Sequence, residues 1–93
     1  MTDMDARGMR WERNIFDTKA IVESQTKNLK EILKTFNRNG AKLIAGDQTA
    51  IASWIKNLIS LGWIKETKDA YVLTEKGKKE VENYESLRKR GLI

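Results

Sequence analysis

Apolar positions at helical spacing recur in three stretches of the chain. Between Asp17 and Arg38 they fall at Ala20, Ile21, Val22, Leu29, Ile32, Leu33 and Phe36. The last four follow the i, i+3, i+4, i+7 rhythm of an amphipathic helix. The polar run Glu23–Asn28 either divides this stretch into two helices or forms one exposed turn. Asn28 and Glu31 have the spacing of a capping box, and Asn37-Arg38-Asn39-Gly40 supplies a stop, because Gly and Asn tolerate the left-handed conformation at helix ends. The second stretch follows Asp47, a good N-cap. Ile51, Ile55, Leu58 and Gly62 lie along one side, with Trp54 and Leu61 on one flank and Ile59 on the other. At about 100° per residue, Thr49, Ser53, Lys56 and Ser60 gather on the opposite side, with Asn57 at its edge. In the third stretch Val81, Tyr84 and Leu87 form the seam of a last helix. Thr74 caps it, and Glu75 stands in the first turn, where the helix dipole favours an acid. Arg88, Lys89 and Arg90 occupy the last turn before Gly91.

Three intervals lack that rhythm. Trp63–Thr67 and Ala70–Leu73 are short, rich in β-branched and aromatic residues, and separated by Lys68-Asp69, which reads as a β-hairpin with a tight turn. Ala41–Gly46 is short and mostly apolar; one or two helical turns and a short strand both fit it. Residues 1–13 mix Asp3, Asp5, Arg7, Gly8, Arg10, Glu12 and Arg13 with scattered Met and Trp11, without a clear period. They are expected to form a flexible arm, its end anchored by Trp11, Ile15 and Phe16. A single domain is expected over 14–93, of α+β class and mostly α.

Composition narrows the chemistry by exclusion. The 93 residues include no His, no Cys and no Pro. Disulfides, zinc sites built from Cys or His, Cys nucleophiles and Ser-His pairs are therefore out. Gly40 and Gly46 are isolated, so no Gly-rich phosphate loop is present. Glu80, Glu82 and Glu85 read as the solvated face of a helix. No catalytic residue, metal or cofactor is expected, and the chain is not read as an enzyme. Eighteen basic against thirteen acidic residues give a net charge of +5, which permits a polyanionic partner. The excess is spread out, with eight basic and six acidic residues in 1–40 and ten and seven in 41–93. No stretch approaches the roughly 18–20 apolar residues of a membrane helix, and Met1–Arg13 is too polar for a secretory signal. A cytoplasmic location without a membrane partner is expected.

The order helix, short element, long helix, hairpin, helix now gains meaning from particular residues. Ala50–Ile64, running through Ser53, Lys56, Asn57, Leu61-Gly62 and Trp63, resembles a recognition helix leading into a first wing strand. Tyr71-Val72-Leu73-Thr74-Glu75-Lys76-Gly77 is similar to the junction between the second wing strand and the last helix. Together they resemble the winged helix-turn-helix DNA-binding domains of small bacterial, archaeal and viral transcription regulators, over about residues 26–90.

The resemblance implies double-stranded DNA as partner, read in the major groove by helix 47–61. Gln48, Thr49, Ser53, Lys56, Asn57 and Ser60 would face bases or phosphates, and Lys65 and Lys68 of hairpin 63–73 would touch phosphates or the minor groove. Trp54, Trp63 and Tyr71 would suit a stacking platform for single strands, but Trp54 and Trp63 are expected in the core beside the helix-to-strand junction. The resemblance also implies a homodimer. Ile15, Phe16, Ile21 and Val22, with Val81, Tyr84 and Leu87, carry more apolar surface than one small core obviously needs, and they are the expected interface. No small-molecule effector is evident. Two other functions stay open: a winged-helix module that binds protein in a transcription or replication assembly, and a basic DNA binder without sequence preference.

Overall fold

In the computed structural model, which describes residues 3–38 and 48–92, six elements follow one another. They are α1 (Asp3–Glu23), α2 (Leu29–Arg38), α3 (Gln48–Leu61), β1 (Ile64–Glu66), β2 (Tyr71–Leu73) and α4 (Glu75–Lys89). The described part is mostly helical, with one two-stranded antiparallel hairpin. Ala41–Gly46, the Asp47 cap and the Asn39-Gly40 stop lie outside the described residues.

Residues 3–13, expected as an arm, lie in the first half of α1, a continuous helix of 21 residues. No proline interrupts it, and a single internal glycine, Gly8, costs only about 1 kcal/mol. What holds this half down is Trp11. Its ring meets Tyr84 of α4 edge-on, with centroids 5.6 Å apart, and its indole N–H donates to Glu80 at 2.7 Å. An indole offers both a large apolar face and one donor, so this contact satisfies both ends of the side chain.

The polar run after α1 is a true break. Gln25 adopts a left-handed φ of 53°, its N–H reaches the Val22 carbonyl at 3.2 Å, and the Ser24 hydroxyl donates to the Ile21 carbonyl. Asn28 then opens α2, its Oδ1 accepting from the Lys30 N–H at 2.9 Å. The capping box is only half made, because Glu31 turns to Lys34, 3.3 Å away, in place of returning to the Asn28 backbone.

The core gathers Ile15 and Ile21 of α1, Ile32 and Phe36 of α2, Ile51, Ile55 and Leu58 of α3, Trp63 and Ile64 beside the hairpin, and Tyr84 of α4. α1 packs against α2, α3 and α4 alike, so the long first helix serves as the spine. Of the residues expected at a dimer face, Ile15, Ile21 and Tyr84 are buried within the chain's own core. Of the set named from the sequence, Phe16 is exposed, and Val22, Val81 and Leu87 are half-buried. Among the described residues no helix is long and apolar enough to cross a membrane.

The hairpin pairs Ile64 with Leu73, Lys65 with Val72 and Glu66 with Tyr71. Its connection differs from the expected two-residue turn, because the strands stop one residue earlier on each side. The Thr67 N–H still reaches the Ala70 carbonyl at 2.8 Å. The return bond goes elsewhere: the Ala70 N–H donates to the Thr67 hydroxyl at 3.1 Å, and that hydroxyl donates to the Ala70 carbonyl at 2.7 Å. A side-chain oxygen thus replaces the carbonyl that would have closed the ladder.

Candidate nucleic-acid interface

α3 buries Ile51, Ile55 and Leu58 and exposes Gln48, Thr49, Ser53, Lys56, Asn57 and Ser60. This split follows from the 3.6-residue period, which places the two sets on opposite sides of the helix. No acidic residue lies within Gln48–Leu61. The outer stripe is therefore made of hydroxyls, amides and one ammonium, all capable of contacting an acceptor-rich surface, and nothing on it repels a phosphate.

The end of α3 is held by a run of backbone bonds that also fixes the hairpin. Gly62 has a φ of +78°, its N–H reaches the Ile59 carbonyl at 2.9 Å, and the Trp63 N–H reaches the Leu58 carbonyl at 3.0 Å. These two bonds form the Schellman pattern, in which a left-handed residue lets the last carbonyls of a helix find donors. Thr74 then ties the far end of the hairpin to the same corner. Its N–H donates to the Trp63 carbonyl at 3.0 Å, its hydroxyl donates to the Gly62 carbonyl, and the same oxygen accepts from the Gly77 N–H at 3.0 Å as the cap of α4. Gly77 lies so close to this corner that a Cβ there would sit 2.0 Å from the Trp63 carbonyl oxygen. The residues of the recognised motif, Gly62, Thr74 and Gly77, are thus the hinge pins that set the angle between α3, hairpin and α4.

Lys65 and Lys68 are both exposed on the hairpin. Strand alternation puts Lys65 on the face opposite Ile64 and Glu66. Glu66 is engaged by Lys27 from the α1–α2 turn, at 2.9 Å, so one of the two acids that dilute the hairpin's charge is already neutralised. Asp69 remains exposed at the tip.

The aromatic residues divide as a core function requires. Trp63 is buried, Tyr71 is half-buried against the core, and Trp54 packs on Phe36 with ring centroids 5.3 Å apart. They do not form an exposed stacking platform.

One part of this surface escaped the sequence reading. α1 runs along a flank of α3: the Asn57 amide donates to the Asn14 side-chain oxygen at 3.4 Å, and the Arg13 guanidinium lies 5.5 Å from the centroid of the Trp54 ring. The signal for it was present, because Trp11, Ile15, Thr18 and Val22 recur at spacings of four, three and four. One turn beyond Arg13, the buried Asp17 carboxyl is pushed up to about 6 by desolvation, partly opposed by the positive charge of Arg13. Elsewhere, the hydrogen bond and charge of half-buried Lys19, 2.9 Å from the exposed Glu85, hold that carboxyl below its ordinary range.

Among the described residues no group of His, Cys, Asp or Glu is arranged to hold a metal ion. No curated protein and no solved structure matches the chain. Residues 47–91, from the start of α3 through α4, match the family described as winged helix-turn-helix, a fold that is typically DNA-binding and not enzymatic. Over these matched residues the polar outer face of α3, the hairpin and the closing helix follow one another in the order of a winged helix.

Proposed function

We propose that the protein binds double-stranded DNA with sequence preference and acts as a small, non-enzymatic transcription regulator in the cytoplasm. α3 enters the major groove, which is just wide enough for one helix. Thr49, Ser53, Asn57 and Ser60 meet base edges or phosphates, Gln48 faces an adenine edge, and Lys56 faces a phosphate or a guanine. The hairpin follows the adjacent backbone or minor groove through Lys65 and Lys68. The observation that carries this reading is the outer face of α3: exposed along its length, polar, short-chained and free of acids, on a helix whose other face is locked into the core. Short side chains let the helix backbone approach the bases closely. Two copies acting together would double the readout across a symmetric site.

Selection from a random duplex pool, read by sequencing, tests the proposal. An enriched motif is expected, and a palindromic one would support two copies per site. Uniform recovery at low salt would instead indicate a DNA binder without sequence preference, and no recovery would indicate a module that binds protein.

A further inference from the structure

We infer that α1 is part of the DNA interface, with Arg13 held on Trp54 as a phosphate-binding residue at the flank of α3; this rests on the proposed docking of α3 in the major groove.

Three observations carry it. Arg13 is exposed, yet its guanidinium is not loose: it stacks 5.5 Å from the Trp54 ring centroid, within the distance at which the ring quadrupole attracts a cation. A guanidinium placed over an aromatic face can still offer its N–H donors to phosphate oxygens. Among the described residues no hydrogen bond or close ion pair holds the Arg13 side chain, although its charge also acts on the Asp17 carboxyl. The same turn of α1 also touches the reading face directly, because Asn14 accepts from Asn57 at 3.4 Å.

The position selects a phosphate over a base. Trp54 follows Ser53 by one residue and so lies about 100° around α3 from the centre of the polar stripe. A helix seated in the major groove has sugar-phosphate walls on its flanks and base edges beneath its centre. A cation mounted on the flank meets the wall. Arg10, one turn earlier on α1 and exposed, extends the same line of charge. Held in one geometry before binding, Arg13 loses little side-chain entropy on contact, unlike a free surface lysine.

The test is fluorescence anisotropy of a labelled 20-base-pair duplex, titrated with the full chain between 50 and 200 mM salt. Arg13→Gln is expected to weaken binding about tenfold at low salt and to reduce the log–log salt slope by about 0.9, the value of one phosphate contact. Arg13→Lys keeps the charge and is expected to retain the slope while losing part of the affinity. Lys56→Ala serves as the reference for α3 itself. If wild type binds and Lys56→Ala weakens it, while Arg13→Gln leaves affinity and slope unchanged, the α1 contact is refuted and the α3 reading survives. If both Arg13 variants lose the same slope together with thermal stability, Arg13 is a packing residue and the inference is likewise overturned. Absence of any duplex binding by wild type would overturn both readings.

Discussion

Asp17 is an acid placed where an acid is costly. It lies on α1, 7% exposed, with its carboxyl pushed up to about 6 by desolvation. An acid whose folded pKa exceeds its unfolded value binds its proton more tightly in the folded chain. Folding is therefore favoured as pH falls from about 6 towards about 4, and the penalty is fully present above that range. Asp17→Asn, which keeps the shape and removes the charge, is expected to stabilise the protein at pH 8 by about 1–2 kcal/mol. It should change little at pH 4. Urea midpoints at the two pH values check this; equal destabilisation at both would mean that the ionised carboxylate makes a favourable contact. Arg13 faces both ways in this neighbourhood, easing the charge of Asp17 on one side and riding on Trp54 on the other. None of this was legible in the chain. Asp17 and Arg13 look like two ordinary charges in a polar N-terminal segment, and only the burial of the helix gives the first its cost and the second its place.

At the scale of elements, the corner where α3, the hairpin and α4 meet is the most constrained part of the molecule. Gly77→Ala would drive a methyl group against the Trp63 backbone, 2.0 Å from its carbonyl oxygen. Backbone cannot swing aside as a side-chain tip does, so a loss of about 3 kcal/mol is expected. For a domain of this size that lowers the Tm by more than about 10 °C. A thermal melt within about 2 °C of wild type would show that α4 can move off the corner at little cost. This corner is also where sequence reading worked best. Leu61-Gly62-Trp63-Ile64 and Leu73-Thr74-Glu75-Lys76-Gly77 announce it because each residue type there answers a local backbone demand: a left-handed residue, a cap and a close approach. The hairpin tip was less legible, since the Thr67 hydroxyl takes a bond that propensity assigns to the ladder. The start of α1 was missed for a different reason. Charges and methionines hid the spacing of Trp11, Ile15, Thr18 and Val22, and the partner that makes the pattern matter, Tyr84, lies far away in sequence.

For the molecule as a whole, the net charge of +5 matters less than where pairing removes it. Lys19, Lys27 and Lys34 are each engaged by a carboxylate, and none of the three belongs to α3. The engagement of Glu66 by Lys27 leaves the hairpin more cationic than a count of its residues indicates. Oligomeric state belongs to this scale as well. With Ile15, Ile21 and Tyr84 inside the core, a homodimer would have to form through Phe16, which lies against Tyr84 at 5.7 Å, and the half-buried Val22, Val81 and Leu87. Sedimentation at about 10⁻⁵ M and higher is expected to show a dimer dissociated by Phe16→Glu, in line with the cost of placing a charge in an apolar contact. A single 10.7 kDa species throughout that range would exclude it.

The most direct test of function is the salt dependence of duplex DNA binding by wild type and by the Ser53→Ala/Lys56→Ala double variant. Both substitutions lie on the exposed face of α3, so the fold should tolerate them. Wild type is expected to bind with a log–log salt slope of several units, about 0.9 per phosphate contacted. The double variant should bind at least tenfold more weakly, in proportion to the loss of one charged and one neutral contact. Equal affinity and equal slope for the two proteins would contradict the assignment of α3 as the helix that reads DNA.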